Sequence, residues 1–412
     1  MSFLTDPINA IADWLESLLL SLGLTSQAVT ILMTLLGAIV VGSFGLMLVI
    51  FLIWVERKVY ARIQDRLGPN RVGPWGILQT FPDMIKIFTK EYITPIGADK
   101  VPYNLAPILS VSAVLLAWAV IPFASTVVGS DINVGVLYIV AVGAIGTLGI
   151  ILAGWSSNNK YALLGAFRTV AQMVSYEVPM VLALLIPVLL ARSMGVNSIV
   201  QSQQVWYILL APIAAFFFFI TSIAETGRAP FDLLEAESEI IAGYQTEYSG
   251  LKFGMFFVGE FLHAFTISAL TVTLFLGGWR GPWSEQVPLL GTAYFFIKTF
   301  IVYFIVLWVR ISLPRLRIDQ MLNFNWKFLT PIALVMLMAT AVLEKILSTW
   351  LPTLRLTDSG VILIRTITHL GLNVLVAAGV IYLLRSYTIR REKVGQPRPL
   401  AVAPEPPASV LE

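Results

Sequence analysis

The segment VTILMTLLGAIVVGSFGLMLVIFLIWV, residues 29–55, is apolar throughout, and the charged stretch ERKVYARIQDRLGPNRVG, residues 56–73, follows it directly. The hydrocarbon core of a bilayer is about 30 Å thick, and about 20 helical residues cross it. The first stretch is therefore long enough for a transmembrane helix, and the second lies in a polar region. Together they predict an integral membrane protein.

The rest of the chain repeats this pattern. Its 412 residues are 57% hydrophobic and 12% charged, whereas about 25% of the residues of a soluble protein are charged. The sequence predicts an all-α, polytopic membrane protein with about nine transmembrane helices. The predicted spans cover residues 29–55, 103–125, 133–155, 161–191, 205–223, 253–276, 291–313, 327–344 and 360–384.

Two other segments predict helices that lie on the membrane surface. The N-terminus lacks the basic start of a signal peptide, so residues 8–22 are predicted to form a retained amphipathic helix. In the long connection after the first span, Ile77, Phe81, Ile85 and Phe88 recur at helical spacing. This spacing predicts a second amphipathic helix within a large cytoplasmic loop.

Positive charge predicts the orientation of the chain. About 20 of the 27 Lys and Arg fall on the odd-numbered connections and the C-terminal tail, and about four on the opposite side. The N-terminus is therefore predicted to lie outside and the C-terminus in the cytoplasm. Residues 1–389 are predicted to form one helical transmembrane domain. Residues 390–412, which are rich in proline, are predicted to be a disordered cytoplasmic tail.

The composition excludes several kinds of chemistry. The chain has no cysteine, which removes disulfides, thiolate nucleophiles, iron–sulfur sites and zinc–thiolate sites. Its two histidines, His263 and His369, are far apart in sequence and give little support to a metal site. We therefore expect no metal and no covalently bound cofactor, and the electrons of any redox reaction must reside on another molecule. The net charge of +3 reflects topology, and no nucleic-acid partner is expected.

Ionisable residues inside the predicted spans are candidates for function. A charged side chain at the centre of a spanning helix costs at least about 2.5 to 3.5 kcal/mol, so it needs a partner or water. Pro179 follows Glu177 and frees a backbone carbonyl in the preceding turn, which makes room for water. Glu260 and His263 share a helix face, where a proton could pass between them. The alternative is a structural ion pair.

The segment AETGRAPFDLLEAESEI, residues 224–240, is acidic although it is predicted to face the cytoplasm. If it is helical after Pro230, Glu235 and Glu239 lie on one face and raise each other's pKa, as a site that exchanges protons near neutral pH requires. The alternative is a solvated acidic loop. The apolar residues mixed with the acids favour a partly buried loop.

The stretch WVERKVYARIQDRLGPNRVGPWG, residues 54–76, combines basic side chains with a cluster of glycine and proline. A simple positive anchor does not need such a turn cluster. A rigid basic platform could instead dock a partner subunit, or attract a polar group such as a quinone ring or a lipid phosphate.

These segments carry a family resemblance. The motifs ERKVYARIQDRLGPNRVG, GWSSNNKYALLGAFR and AETGRAPFDL, the last continued by EAESE and GYQTEYSG, resemble the quinone-site membrane subunits of proton-pumping NADH:quinone oxidoreductase, respiratory complex I. They occur in the family's order over residues 56–331. The resemblance implies a multi-pass subunit of a bacterial cell membrane that is inactive alone, forms part of the quinone chamber and couples quinone reduction to proton translocation.

The resemblance also implies site residues and partners. The implied proton-transfer line consists of Glu177, Glu225, Glu235, Glu237, Glu239 and Glu260. The implied quinone-chamber residues are Glu56, Arg57, Arg62, Asp83 and Asp232. The substrate is ubiquinone or menaquinone, and lipid surrounds the chain. The implied partners are the iron–sulfur subunits of the quinone module and antiporter-like membrane subunits, with FMN and the iron–sulfur clusters held by partner subunits.

The chain departs from the family pattern in a few places. Gly227 replaces the expected Asn and Leu234 the expected Pro, which predicts a looser acidic loop; Pro82 replaces the usual Ala. Many members have eight spans, so the last predicted span is an extra one.

Two alternative functions remain: a subunit of a related membrane-bound hydrogenase or ferredoxin-linked complex, and an autonomous cation/proton antiporter.

Overall fold

The computed structural model describes residues 5–234, 239–354 and 357–395, and within these ranges the chain is helical and contains no strand. The α-helices are α1 (Pro7–Ser21), α2 (Ser26–Ile63), α3 (Thr80–Thr89), α4 (Lys100–Trp118), α5 (Gly135–Ser156), α6 (Lys160–Ala191), α7 (Val196–Ser202), α8 (Tyr207–Leu210), α9 (Pro212–Glu225), α10 (Gly250–Phe275), α11 (Pro288–Ser312), α12 (Ile318–Phe324), α13 (Thr330–Trp350) and α14 (Asp358–Gly395).

Eight helices of the described part are long and apolar enough to cross a membrane. They are α2, α4, α5, α6, α10, α11, the continuous helix Ile318–Trp350 that joins α12 to α13 through a π-helical turn, and α14. This confirms the predicted all-α, polytopic membrane fold, including the extra helix at the C-terminal end.

The fifth predicted span, residues 205–223, is not one continuous helix, and this prediction was wrong. The chain breaks at Ala211, whose φ of −136° and ψ of 63° are not helical, between the single turn of α8 and the start of α9. Pro212 follows the break and has no N–H to continue the helix. The 14 residues of α9 are only about 21 Å long, less than the thickness of a bilayer core.

The predicted amphipathic helices are both present, as α1 and α3. Asp6 caps α1 by accepting a hydrogen bond from the Asn9 amide at 3.3 Å, and Thr126 donates to the same carboxylate at 2.9 Å. This contact ties α1 to the connection between α4 and α5. On α3, Phe81 and Phe88 are exposed, as the predicted apolar face requires.

Helix α10 lies at the centre of the bundle, where it contacts α2, α4, α9 and α11. Its second half is buried on all sides. The Trp118 indole of α4 donates to the Thr266 hydroxyl of α10 at 2.6 Å, which satisfies both groups in the apolar core. Because α10 is enclosed, any ionisable side chain on it faces protein and not lipid.

The connection between α9 and α10 folds back into the bundle. Gln172 of α6 donates from its side-chain amide to the carbonyls of Ala224 at 2.6 Å and Phe231 at 2.7 Å. Gly165 of α6 lies so close to the backbone of Gly243 that a Cβ atom would be 2.7 Å from the Gly243 carbonyl carbon. Irregular backbone is tolerated in a bundle when protein groups satisfy it. The prediction of a partly buried acidic loop is confirmed for these residues.

Helix α14 continues to Gly395, beyond the predicted domain boundary at residue 389. The remainder of the predicted disordered tail, residues 396–412, lies outside the described residues. Its disorder therefore stays a prediction.

Candidate functional site

Five side chains from four elements meet in a buried arginine cluster, which consists of Glu56, Arg228, Glu260, Tyr303 and Arg310. Glu56 of α2 accepts hydrogen bonds from Arg310 at 2.5 Å, Arg228 at 3.1 Å and the Tyr303 hydroxyl at 3.5 Å. The Arg228 Nε atom lies 3.5 Å from the Glu260 carboxylate of α10. Arg228 is only 1% exposed, so its guanidinium holds the two acids together inside the protein.

The arginine cluster pairs two acids with two arginines. Arg228 contacts Glu56 and Glu260, and Arg310 contacts Glu56. The Arg228 guanidinium also lies 4.9 Å from the centre of the Phe261 ring, a cation–π contact. Buried charges are tolerated when they are paired in this way.

A pocket of about 510 Å³ opens beside the arginine cluster. Ile53, Phe257 and Phe261 give it an apolar wall, and Glu56 and Arg310 reach it from the cluster. Its polar wall is completed by Arg57, Tyr60 and Arg66. An apolar wall with a few convergent donors is typical of a small-molecule binding site.

Asp232 lies at a smaller cavity behind this pocket. Glu260 and Arg310 line the same cavity. The structure therefore brings the predicted residues Glu56, Asp232 and Glu260 to one place.

A second group of ionisable residues, the carboxylate pair cluster, consists of Glu177, Glu225 and His263. All three line an internal cavity of about 100 Å³, which has room for several water molecules. The His263 Nε2 atom lies 3.8 Å from the Glu225 carboxylate. That carboxylate stands against α5, where a Cβ atom on Gly143 would be 3.7 Å from it.

In the described part of the chain, Glu177 and Glu225 form no ion pair with an arginine or a lysine, and the one basic neighbour of Glu225 is His263. Among the described residues that line its cavity there is no arginine and no lysine. Glu260 lines the cavity as well, so one residue belongs to the arginine cluster and also reaches the carboxylate pair cluster. The two groups are thus neighbours, with Glu260 common to the arginine cluster and to the lining of the cavity.

The predicted exchange between Glu260 and His263 takes a different form in the structure. Although they are three residues apart on α10, Glu260 contacts Arg228 and His263 contacts Glu225. Each residue links α10 to a different cluster, and the two share the cavity between them.

Glu239 does not join either cluster. It lies in a turn, 2.5 Å from the Arg168 guanidinium of α6 and 3.4 Å from that of Arg315. The hydrogen bond from Arg168 lowers the pKa of Glu239. The expectation that neighbouring acids raise this pKa was wrong, because two arginines face the carboxylate. Its predicted partner Glu235, like Glu237, lies outside the described residues.

The remaining predicted chamber residues, Arg57, Arg62 and Asp83, do not all lie at the pocket. Arg57 lines the 510 Å³ pocket and forms an ion pair with Asp83 of α3, which ties the surface helix to α2. Arg62, one turn further along α2, is exposed and lines neither that pocket nor the internal cavity.

Three residues of the arginine cluster were missed by the sequence analysis: Arg228, Tyr303 and Arg310. Arg228 lies inside the quoted motif AETGRAPFDL, so an arginine among acids was a usable signal. Arg310 ends a predicted span, where a basic residue normally indicates topology. Tyr303 lies within an apolar helix and gave no signal.

Gly227 and Leu234, the two departures from the family pattern in the acidic loop, pack against each other. Gly227 has a φ of +63°, and a Cβ atom there would lie 1.8 Å from Leu234. The Leu234 side chain therefore occupies the space that a larger residue at 227 would need. Leu234 is buried against the glycine, and the expected loosening of the loop stays a prediction.

No group of three or more His, Asp or Glu side chains that could hold a metal ion occurs in the described part of the chain. The ionisable groups of the site are thus arginines, carboxylates and one histidine. Such a set can hold a polar ligand and transfer protons.

Comparison with known proteins identifies the family. The sequence model of the NADH dehydrogenase family matches residues 36–341. The H subunit of NADH-quinone oxidoreductase from Dehalococcoides mccartyi (strain CBDB1) is 50% identical over 304 residues, which cover 74% of this chain and 84% of the relative. The H subunits from Rhodospirillum centenum and Carboxydothermus hydrogenoformans are each 46% identical, covering 74% and 75% of this chain and 94% and 89% of the relatives. The chain therefore belongs to the NADH dehydrogenase family, among the H subunits of NADH-quinone oxidoreductases.

Proposed function

We propose that the 510 Å³ pocket beside the arginine cluster receives the headgroup of a quinone, and that the line from Glu56 to Glu177 couples quinone reduction to proton translocation. The observation that carries this proposal is the position of Arg228, which contacts Glu56 at the pocket and Glu260 at the internal cavity. One buried cation thus joins the two parts. The names of the relatives support the quinone as substrate.

The lining of the pocket suits a quinone. Ile53, Phe257 and Phe261 offer an apolar wall to the ring and the start of an isoprenoid tail. Tyr60 and Arg310 carry hydrogen-bond donors for the two ring carbonyls. Reduction takes two electrons and two protons and converts both carbonyls to hydroxyls. The electrons come from a partner subunit, which also holds the iron–sulfur clusters.

Proton uptake at the pocket changes the charge next to Glu56. Because Arg228 contacts both Glu56 and Glu260, a change of charge at one acid alters the electrostatic field at the other. Glu260 also lines the internal cavity with Glu225 and Glu177, which have no arginine partner among the described residues. These two carboxylates are the groups whose protonation responds, with water in the cavity as the proton carrier.

The proposal extends to the other predicted residues and to the assembly. Asp232 lines the smaller cavity together with Glu260 and Arg310. The ion pair of Arg57 with Asp83 holds the surface helix α3 at the pocket. Glu239, paired with Arg168, lies on the cytoplasmic side of the line, and the proton-line roles of Glu235 and Glu237 stay predictions. Antiporter-like subunits adjoin the line at Glu177 and respond to the change in its protonation. The chain spans a bacterial cell membrane and holds neither FMN nor an iron–sulfur cluster itself. The broken segment α8–α9 crosses together with the eight continuous helices, which puts the N-terminus outside and the C-terminus in the cytoplasm.

The test of the pocket uses a variant that fills it. Ile53→Trp places an indole in the pocket, and Leu46→Trp on the same helix, whose side chain is 47% exposed, is the matched control. The tagged chain is purified with its complex and assayed for inhibitor-sensitive NADH:quinone reductase activity. We expect I53W to raise the KM for quinone about fivefold or more and L46W to leave it unchanged. An unchanged KM and unchanged inhibitor sensitivity in assembled I53W would contradict the proposal.

A further inference from the structure

Helix α14 presents three polar side chains on one face. Arg365, His369 and Asn373 follow one another at intervals of four residues, which places them on a single stripe. His369 and Asn373 are 1% and 3% exposed. The match to the family model ends at residue 341, before α14 begins, so that match does not account for this stripe.

The stripe satisfies backbone groups at the ends of other helices. Arg365 donates to the Leu190 carbonyl in the last turn of α6 at 3.2 Å. Asn373 donates to the Leu210 carbonyl at 2.9 Å and accepts from the Ile213 amide at 3.4 Å. The last two groups lie on the two sides of the break between α8 and α9.

The break creates the need for these bonds. The last carbonyls of α8 and the first amides of α9 have no partner within their own helices. In an apolar setting, an unsatisfied backbone group costs as much as a lost hydrogen bond or more. Asn373 provides one donor and one acceptor, which are the two functions that the break lacks at Leu210 and Ile213.

Arg365 and His369 of the stripe hold α14 against α13. Glu344 of α13 accepts from Arg365 at 2.8 Å and lies 3.3 Å from His369. Arg192, at the C-terminal end of α6, lies 3.4 Å from the same carboxylate. These contacts hold Asn373 in register, since Arg365, His369 and Asn373 belong to one helix.

We infer that Asn373 is a positioning residue, which sets the axial position of α9 and thereby the place of the Glu225 carboxylate in the internal cavity. Helix α9 begins at the break and ends at Glu225. It is a short, hydrogen-bonded rod of about 21 Å, so a shift at Ile213 moves Glu225 by a similar distance. The inference rests on the proposed proton-transfer role of Glu225.

The decisive variant is Asn373→Leu, which keeps the volume of the side chain and removes both bonds. Thr368→Val is the matched control, because the Thr368 hydroxyl donates only to Ile364 and Arg365 of its own helix. Leu372→Ala is the packing control, since Leu372 lines a groove of apolar side chains together with residues of α13. All three are measured in the assembled complex in native membranes.

We expect N373L to lower both the turnover and the number of protons pumped per quinone reduced, with turnover about tenfold lower per assembled complex and an unchanged KM for quinone. T368V keeps the parental values. L372A lowers only the amount of complex. If N373L does not assemble, Asn373→Ser, whose hydroxyl can replace only one of the two bonds, shows an intermediate loss. Parental turnover and pumping in assembled N373L, or in N373S where N373L fails to assemble, would overturn the inference.

Glu225→Gln, measured in parallel, separates the two claims. If E225Q is impaired and N373L is not, the positioning role fails and the proton-transfer role stands. If E225Q has parental turnover and pumping, the proposed function of Glu225 fails, whatever N373L shows.

Discussion

The arginine cluster and the carboxylate pair cluster lie in the same bundle and are made of the same kind of acid, yet their surroundings differ. Glu56 has Arg228 and Arg310 within hydrogen-bond distance. Glu177 and Glu225 have a histidine, apolar side chains and a cavity. The ion pairs between two acids and two arginines bind the helices together. Under the proposed function, the acids without an arginine or lysine partner are the ones that change protonation.

The largest effect is expected from removing the shared cation. Arg228→Leu leaves Glu260 buried without its arginine partner and Glu56 with Arg310 alone, and breaking a buried ion pair from one side costs about 3 to 5 kcal/mol. We expect little or no assembled complex, measured by native gel electrophoresis of membranes. Arg62→Leu, at an exposed position on α2, is the control and should assemble normally. Normal assembly of R228L would show that the arginine cluster does not hold the bundle.

The next largest effects differ between the two clusters: variants of one lose activity, and variants of the other lose assembled complex. Glu225→Gln and Glu177→Gln remove a titratable group without leaving a cation unmatched, so we expect normal assembly and a loss of turnover and pumping of about tenfold or more. Glu56→Gln leaves Arg228 and Arg310 with one acid fewer and should lower the amount of complex instead. Each variant is assayed for complex content, quinone reduction and proton uptake into vesicles. Full activity in both E225Q and E177Q would remove them from the proton line.

A smaller effect is expected at His263. The His263 ring is 3.8 Å from the Glu225 carboxylate, so it can orient that group but is not its only neighbour. We expect His263→Asn, which keeps a polar side chain, to lower turnover about threefold with an unchanged KM for quinone. Turnover per assembled complex is the measurement. A loss as large as that of E225Q would make the histidine a proton carrier in its own right.

The smallest effect concerns the surface pair of Arg168 and Glu239. The hydrogen bond from Arg168 holds the pKa of Glu239 below its ordinary value of 4.5 in the folded protein. The unfolded chain therefore binds more protons, and the pair's contribution to stability is present above pH 4.5 and lost as the pH falls through the folded pKa. The difference in apparent Tm between the parent and Glu239→Gln should shrink from about pH 6 to about pH 4. A constant difference would contradict this assignment.

The sequence was sufficient to predict most of the fold. Long apolar runs identify spanning helices because the bilayer fixes their length. The break at Ala211 was missed because Pro212 lies within an apolar stretch, and hydropathy does not register a lost hydrogen bond. Asn373, which hydrogen-bonds to both sides of the break, is 160 residues away from Ile213 in the chain. No local sequence pattern therefore connects Asn373 with the break.

The site could be predicted only in part. Acids inside apolar segments stand out because they are costly there, and Glu177 and Glu260 were found on this ground. Their partners depend on which helices are neighbours. Arg310 meets Glu56 across 254 positions of sequence, and Arg168, nine residues before Glu177 on the same helix, pairs with Glu239 instead. Sequence alone therefore predicted where charge is buried, but not which charges are neutralised.

Infrared difference spectroscopy of the assembled complex tests the contrast between the two clusters most directly. Spectra are recorded before and after reduction of bound quinone, in the parent, in E225Q, in E177Q and in an arginine-cluster variant that assembles, such as Tyr303→Phe. We predict a carboxylic-acid C=O band that changes on reduction, that persists in Y303F and that is absent from E225Q. The same band at full amplitude in E225Q and in E177Q would show that the protonation change occurs elsewhere, and would contradict the account.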